Sequence, residues 1–269
     1  MPTNLASSPA LRFCSLASCS VYGNAYYIES AAGTRILVDC GVPLRRLERE
    51  LTGLGCPPDR FDAIFVTHEH IDHIRALTLK YPFSLRHRVP VFAPGRVWSG
   101  WRHPGALGRQ EVLDASDTVR VGDLTISALA KPHDAVEPVA YLVEGGGTRL
   151  AVVTDLGMVP ATLVDELRGS DFLIFEANHD REMELRSDRA WPVIQRALSD
   201  HGHLSNEQAA AALARIITSR TQAILLAHLS LDCNRPELAL EVVGRSLARA
   251  GYSGTLEAAP ACGSSRLIG

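Results

Sequence analysis

A run of six residues, His-Glu-His-Ile-Asp-His, constrains this chain more than any other stretch. It supplies four potential metal ligands, His68, His70, Asp72 and His73. The apolar segment 62–67 predicts a short buried strand leading into the run, and histidines two residues apart in extended backbone should project on the same side. Imidazole and carboxylate suit zinc, and also manganese or iron. The run therefore predicts a compact metal-binding cage in preference to a merely polar loop.

Four further residues occupy positions where α/β folds commonly place their sites. Asp39, Asp155 and His228 each follow a strand-like apolar run, and His133 lies in the sequence Lys-Pro-His-Asp. Side chains at the carboxyl ends of strands line the crevices in which such folds bind ligands. An aspartate at a strand end is also a common turn residue, so each position alone is a weak indication. The four residues together, in this order, are a strong indication of a binding site.

These residues together resemble the His-x-His-x-Asp-His signature and the later conserved positions of the metallo-β-lactamase superfamily, over nearly the whole chain. The resemblance implies an α/β (α+β) fold, a four-layer αβ/βα sandwich of two mainly antiparallel sheets flanked by helices. It places the site along one sheet edge. The interval between Asp155 and His228 leaves no room for the extra domain that the β-CASP branch inserts there.

The resemblance also implies a site for two divalent metal ions, zinc in the first place, with manganese or iron as alternatives. One ion would be held by His68, His70 and His133. The second would be held by Asp72, His73 and His228, with Asp155 bridging both ions and Asp39 orienting a ligand imidazole. Two such ions lower the pKa of water toward ~7, which predicts hydrolysis by a metal-activated hydroxide with Asp72 in the catalytic group. The oxygen-reducing di-iron branch typically has Glu where this chain has His70, so the resemblance favours hydrolysis over redox chemistry.

Segments around these positions are similar to the YycJ-like branch, bacterial enzymes regarded as DNA exonucleases and close to phosphodiesterases of small phosphate esters. The similar segments are His133-Asp-Ala-Val-Glu-Pro138, Glu176-Ala-Asn-His-Asp180 and Gly202-His-Leu-Ser-Asn206. The chain departs from the branch before Gly23, where Cys19-Ser-Val-Tyr22 replaces a Ser/Gly-rich loop. The resemblance implies a dinuclear phosphodiesterase, with DNA or another phosphodiester as its substrate.

Two histidines outside the ligand set are candidate catalytic groups. His179 and His203 could donate to phosphate oxygens or protonate the leaving alkoxide, which histidine can do near neutral pH. The alternative is that each braces a loop. Ser205 and Asn206 are candidate phosphate contacts, although Ser205 with Gln208 also forms a helix-capping pattern.

A basic and aromatic segment follows the metal-binding run. Between Asp72 and Glu111 there is no acidic residue, whereas seven Lys or Arg residues occur there, among them Arg96, Arg102 and Arg109. With Tyr81, Phe83, Trp98 and Trp101 interleaved, the segment could follow a sugar-phosphate backbone and stack the bases of a single strand. A solvated surface above core aromatic residues is equally consistent with the pattern.

Length and composition bound the remaining possibilities. The 269 residues suffice for a hydrophobic core, and the net charge of −3 offers no global basic field for a polyanion. The chain shows no secretory signal at its start, no apolar run of membrane-spanning length, and no CxxC pair among its six cysteines. We therefore expect a cytoplasmic protein with no membrane contact, a flexible leader over 1–10 and one domain over 11–269. The oligomeric state stays open.

Three functions are consistent with these sequence features. The first is a DNA exonuclease. The second is a hydrolase of a small cyclic or short phosphodiester, with a thioester or lactone ranked lower. The third is a metal-binding scaffold without turnover, against which the complete ligand set argues. Hydrophobic periodicity further predicts helices over 44–54, 74–79, 207–218 and 236–250, with Asp72 as a cap for the second of these.

Overall fold

The apolar runs of the N-terminal half form the first sheet. The computed structural model describes residues 10–103 and 107–269. Within them the strands lie in chain order: β1 (Leu11–Cys19), β2 (Gly23–Ser30), β3 (Arg35–Val38), β4 (Ala63–Phe65), β5 (Val91–Ala93) and β6 (Gln110–Val112). β1 to β3 are antiparallel, and β3 to β6 are parallel. The predicted leader, 1–10, falls almost entirely outside the described residues.

The second sheet comes from the C-terminal half. Its strands are β7 (Thr118–Val121), β8 (Leu124–Ala130), β9 (Val139–Gly145), β10 (Thr148–Val153), β11 (Phe172–Glu176), β12 (Ala223–Ala227) and β13 (Thr255–Ala258), in the spatial order β13 to β7. β7 to β10 are antiparallel and β10 to β13 are parallel. Both sheets are therefore mixed: the expected antiparallel pairing holds for β1 to β3 and for β7 to β10, and the remaining strands are parallel and joined by helical crossovers.

Helices cover the outer faces of both sheets. They are α1 (Leu44–Gly53), α2 (Ile71–Ile74), α3 (Phe83–His87), α4 (Gly95–Gly100), α5 (Ala161–Leu167), α6 (Arg181–Leu185), α7 (Trp191–Ala197), α8 (Asn206–Ile216) and α9 (Pro236–Arg249). One hydrophobic core lies between the sheets, around Phe13, Phe65 and Tyr141. One further core lies between the first sheet and its helices, and another lies between the second sheet and its helices. This arrangement confirms the predicted four-layer αβ/βα sandwich in a single domain.

Among the predicted helices, the one over 74–79 differs most from the structure. α2 begins at Ile71, ends after four residues and continues as a 3-10 turn over Arg75–Leu77. Its N-cap is His70, so Asp72 lies in the first turn and is not the cap. The helix is short because its backbone bonds to a neighbouring loop: the amide of Cys40 donates to the carbonyl of His73, and the amide of Ala76 donates to the carbonyl of Cys40. These bonds fix the metal-binding run to the end of β3.

The other three predicted helices differ from α1, α8 and α9 by at most two residues at each end. α8 carries the predicted capping box of Ser205 and Gln208. The helices that periodicity did not predict, α3 to α7, have five to seven residues each, too few for a clear amphipathic pattern. In the part of the chain that the structure describes, no helix has both the length and the apolarity to cross a bilayer.

Candidate metal centre and active site

The predicted site residues meet where strands of both sheets end. Asp39 and His228 directly follow β3 and β12, Asp155 comes two residues after β10, and His68 and His133 come three residues after β4 and β8. β3 and β4 are parallel neighbours, so their carboxyl ends lie at one edge of the first sheet. The second sheet contributes its residues at the facing edge, which brings distant parts of the chain together.

Three of these residues have left-handed backbone conformations. Asp39, Asp155 and His228 have φ values of 62°, 58° and 55°. Such a conformation in a residue other than glycine costs on the order of 1–3 kcal/mol and persists where the surrounding structure enforces it. Here the surroundings include the buried Lys131, whose Nζ donates to the carbonyl of Asp155 at 2.8 Å, and Ser18, whose Oγ accepts from the amide of His228 at 2.8 Å. The fold thus maintains local strain at the site.

The first ligand group consists of three converging imidazoles. Nδ1 of His70 lies 3.1 Å from Nε2 of His68 and 3.3 Å from Nε2 of His133. Tetrahedral zinc with Zn–N bonds of ~2.0–2.1 Å separates its ligand atoms by about 3.3 Å, close to these distances. Burial lowers the pKa of His68 and His70 and brings that of His133 to about 3. The three rings are therefore neutral and can offer lone pairs.

Hydrogen bonds select the tautomers of two of these rings. Nδ1 of His133 lies 3.2 Å from the carbonyl oxygen of Gly202, which can accept but not donate. Oγ1 of Thr67 donates to Asp39 and can therefore accept from Nδ1 of His68, 2.9 Å away. Both rings then carry their hydrogen on Nδ1, and their Nε2 lone pairs face His70. Contacts of this kind orient metal-binding histidines in general.

The second ligand group consists of Asp72, His73 and His228. Oδ2 of Asp72 lies 3.5 Å from Nε2 of His73 and 3.7 Å from Nε2 of His228. The opposite nitrogens contact carboxylates: Nδ1 of His73 lies 2.7 Å from Asp39, and Nδ1 of His228 lies 2.9 Å from Glu176. Burial alone would lower the pKa of both rings, but Asp155 and the other nearby carboxylates raise that of His73 well above its usual value and that of His228 to about 10.

Asp155 lies between the two groups. Its Oδ2 is 3.2 Å from Nε2 of His73, and its Oδ1 is 4.0 Å from Nε2 of His133. Oδ2 of Asp155 and Nε2 of His228 are buried and make no hydrogen bond within the described ranges. A buried polar atom without a partner costs about 1–3 kcal/mol, so both atoms fit contact with a cation. The donor set suits two divalent ions and does not choose among zinc, manganese and iron.

Glu176, at the end of β11, connects the metal centre to His203. Its Oε1 lies 2.9 Å from Nδ1 of His203 and 2.9 Å from Nδ1 of His228. Burial would raise its pKa, but His203 and His228 together lower that pKa to about 2, so the carboxylate stays ionised. The sequence patterns predict no role for Glu176. Glu176 is a charged residue at the end of the buried run Phe172–Phe175. The same pattern identified Asp39, so it could also have identified Glu176.

His203 lies beside both ligand groups. Its ring centre is 5.3 Å from that of His133 and 5.1 Å from that of His228, and its side chain is 15% exposed. Nδ1 contacts Glu176, which leaves Nε2 for a group entering from solvent. This position suits the predicted catalytic role.

His179 is placed differently from its predicted role. The residue is fully buried, and neither ring nitrogen has a hydrogen-bond partner among residues 10–103 and 107–269. Burial lowers its pKa, so the ring is neutral. Its carbonyl accepts from the amide of Asn206 at 2.9 Å, and it forms a β-bridge with Ser205. A ring without exposed surface cannot meet an incoming phosphate in this conformation, which favours the alternative that His179 braces the loop.

Ser205 and Asn206 also have structural partners. Oγ of Ser205 accepts from the amide of Gln208 at 3.2 Å at the start of α8. Asn206 is fully buried and exchanges hydrogen bonds with Asn234 at 2.9 and 3.0 Å. Neither side chain is exposed, so helix capping and loop packing account for both, and the structure gives no support to their predicted contact with phosphate.

The basic segment is exposed, but most of its aromatic residues are not. Arg96, Arg102 and Arg109 lie on the surface, where Arg109 pairs with Glu111. Phe83 is buried, and Trp98 and Trp101 pack half-buried against the core under the first sheet. Tyr81, 63% exposed, is the one member of the predicted aromatic set with most of its surface in solvent. The arginines thus remain available to a polyanion, whereas the tryptophans mainly serve the core.

Comparison with known proteins places the chain in a family. The family model described as the beta-lactamase superfamily domain matches residues 34–228. The exodeoxyribonuclease YycJ of Bacillus anthracis is 34% identical over 245 residues, which cover 90% of this chain and 91% of that protein. The exodeoxyribonuclease WalJ of Streptococcus pneumoniae is 32% identical over 233 residues, 85% of each chain.

A solved structure agrees at the level of the fold. The metallo-β-lactamase fold protein YhfI of Bacillus subtilis superposes with a TM-score of 0.70 at 16% identity, over 95% of this chain and 98% of that one. The predicted resemblance is therefore confirmed. The chain belongs to the YycJ-like branch of the metallo-β-lactamase superfamily, and it is a metal-dependent hydrolase.

Proposed function

We propose that the protein is a DNA exonuclease that hydrolyses phosphodiester bonds with two divalent metal ions. The observation that carries the dinuclear site is the convergence of two ligand groups, one on His70 and one on Asp72, with Asp155 between them. Two buried atoms in that space, on Asp155 and His228, make no hydrogen bond within the described chain. DNA as the substrate is supported by two relatives named exodeoxyribonucleases that match 85% or more of this chain.

The residues around the ions have separable tasks in this proposal. Two divalent ions held by these residues would lower the pKa of water toward ~7 and would neutralise negative charge on phosphate oxygens. Asp39 and Glu176 hold the rings of His73 and His228 so that each Nε2 faces Asp72. Asp72 serves as a ligand and a catalytic group, and Asn24 holds its carboxylate through Nδ2 at 3.3 Å.

His203 is the proposed proton donor. Its Nδ1 is held by the ionised Glu176, which keeps the hydrogen on that nitrogen and orients the ring. Nε2 can then donate to the leaving alkoxide or to a nonbridging phosphate oxygen. Zinc is the first choice of metal, with manganese or iron as alternatives. The cytoplasmic location predicted from the scattered cysteines stays part of this proposal.

A second candidate is a hydrolase of a small cyclic or short phosphodiester. It is favoured by the packing of Phe83, Trp98 and Trp101 into the core, which removes most of the predicted stacking surface for a single strand. Long DNA bound through its phosphates would show strong salt dependence, whereas a small diester would not.

One experiment separates these candidates. Metal-reconstituted protein is incubated with end-labelled single-stranded and double-stranded DNA, beside a chromogenic phosphodiester. Progressive shortening of DNA from an end supports the exonuclease. Turnover of the chromogenic diester alone supports the small-substrate hydrolase. A metal-loaded protein that hydrolyses none of them, in zinc, manganese or iron, would contradict both and favour a scaffold.

A further inference from the structure

A small cavity next to the metal centre contains two arginines that have no role so far. Its volume is about 120 Å³. His203 and His228 line one part of it, and Arg189, Arg196, Asn178 and Ser230 line others. Ser20, from the turn between β1 and β2 that departs from the YycJ-like pattern, also reaches its wall. The cavity therefore continues directly from residues of the proposed active site.

The first arginine is fixed by its neighbours. Arg189 precedes α7, and its guanidinium lies 3.2 Å from the carboxylate of Glu184, whose side chain is fully buried. Its other terminal nitrogen, Nη2, donates to Asp232 at 2.9 Å and to Ser230 at 3.3 Å. A side chain held at both ends of its fork loses little conformational freedom when a ligand arrives.

The second arginine is fixed and still has unused donors. Arg196, in the last turn of α7, donates from Nη2 to Asp134 at 2.9 Å, and its Nε bonds the same carboxylate. Among the described residues, no hydrogen bond uses Nη1 of Arg196. The hydrogen bond to Asp134 raises the pKa of Arg196, so the guanidinium stays charged. The side chain is 51% exposed, so an anion can approach it.

An anion bound in the cavity would meet the unused Nη1 of Arg196 beside the metal ligands, whereas the terminal nitrogens of Arg189 are already bonded to Glu184, Asp232 and Ser230. Guanidinium groups bind phosphate through charge-assisted hydrogen bonds, often two in parallel. In a nucleic acid, the group next to the scissile phosphate that carries charge is the neighbouring phosphate of the same strand. We propose that this cavity binds that neighbouring phosphate through Arg196, with the fixed Arg189 completing the wall, so that the site prefers substrates with a second phosphate beside the scissile bond. The inference rests on the proposed phosphodiesterase function and names a substrate requirement of the same site.

The test uses a ligand with two phosphates and no diester bond, so that binding is measured without turnover. Zinc-loaded protein is titrated by calorimetry with thymidine 3′,5′-bisphosphate, and separately with the 3′- and the 5′-monophosphate. We expect the bisphosphate to bind about 10-fold or more tightly than either monophosphate, the effect of roughly one charge-assisted hydrogen bond. Equal affinities for the three ligands would overturn the proposal.

Two variants test whether the arginines cause the tighter binding of the bisphosphate. In Arg196→Gln the affinity ratio of bisphosphate to monophosphate should fall toward one. Arg189→Lys keeps a positive charge beside the buried Glu184 and loses the planar fork that shapes the wall, so it should lower the same ratio by less than Arg196→Gln does. If Arg189→Lys unfolds in a thermal scan, Arg196→Gln alone decides. Arg186→Gln is the matched control, because Arg186 is exposed on the neighbouring segment, pairs with Glu182 at 3.4 Å and does not line the cavity. If the affinity ratio falls equally in this control, the effect is a general one of charge and the proposal is overturned.

The result can be told apart from failure of the proposed function. A protein that cleaves DNA but shows no bisphosphate advantage has the function without the subsite. A protein that cleaves no diester but shows an advantage that depends on Arg196 has the subsite without the function.

Discussion

Nδ1 of His73 lies 2.7 Å from Oδ2 of Asp39, and both side chains are fully buried. The contact turns Nε2 of His73 toward Asp72 and Asp155, where the second ligand group converges. Asp39 is held in turn by Thr67, whose amide donates to Oδ1 at 2.8 Å. Asp39 thus orients His73, a proposed metal ligand, and it does so from a strained backbone position with φ of 62°.

Asp39→Asn should weaken metal binding without unfolding the chain. Asparagine tolerates the left-handed conformation, so the substitution removes mainly the carboxylate charge behind His73. Loss of such a partner typically costs 10–100-fold in metal affinity, and we expect that loss at the second ion. Metal content after dialysis against a weak chelator measures it. Asp62→Asn is the control, because Asp62 is exposed and accepts from the amide of Arg35 far along the strand. Equal retention of metal in both variants would remove Asp39 from this role.

Asp155→Ala should lose both metal occupancy and turnover. The wild-type chain should carry about two divalent ions, and a carboxylate between the two ligand groups serves both of them. Metal analysis by mass spectrometry, together with diester hydrolysis, measures the effect. Asp155→Asn separates charge from backbone strain, because Asn accepts the φ of 58° at this position better than Ala does. Full occupancy with normal activity in either variant would exclude the bridging role.

His203→Ala should keep its metal and lose turnover by ~10²-fold or more, since a general acid contributes by about that factor. His179→Ala is the contrasting variant. Because His179 is buried in a loop contact, its loss should lower the melting temperature and leave the turnover of the folded fraction nearly unchanged. Metal loss in His203→Ala would make His203 a structural group, and a selective loss of turnover in His179→Ala would restore the role predicted from sequence.

Local patterns in the sequence identified the parts of the site that are local in the chain. His68, His70, Asp72 and His73 are close neighbours in sequence, and Asp39, Asp155 and His228 follow recognisable strands. Residues defined by tertiary contacts escaped this reasoning. Arg196 lies on a seven-residue helix, and its partner Asp134 is 62 residues away. The polarity of His179 and Asn206 was visible, but their burial depends on packing that no local pattern encodes. The early end of α2 likewise depends on backbone bonds to Cys40.

Without metal, the protein should lose stability at alkaline pH. In the metal-free site the pKa of His228 is raised to about 10, whereas an unfolded histidine has a pKa of about 6.5. The folded protein therefore holds a proton that the unfolded chain releases, so this stabilisation is complete below about 6.5 and is lost as pH rises toward 10. A metal ion held by Nε2 would take the place of the proton, so zinc-loaded protein should escape the loss. Thermal denaturation between pH 6.5 and 10, with zinc and with chelator, measures the difference. Parallel decline under both conditions would contradict the assignment.

The exposed arginines can be tested independently of the metal centre. Arg96, Arg102 and Arg109 lie on the surface and belong to neither ligand group. If they follow a nucleic-acid backbone, their triple replacement by Gln should weaken binding of single-stranded DNA. The slope of log affinity against log salt should also become shallower by ~0.7 for each phosphate contact removed. Hydrolysis of a small chromogenic diester should suffer much less than that of DNA, because a small substrate has no phosphates far from the metal centre.

The loss of activity on DNA is compared with the loss on the small diester. Equal loss on both would indicate misfolding, which a thermal scan of the triple variant checks directly. No loss on either would make the segment an ordinary solvated surface, as the core packing of Trp98 and Trp101 already allows. In that case the DNA contacts would have to come from elsewhere, and the small-substrate hydrolase would become the better account of the same metal centre.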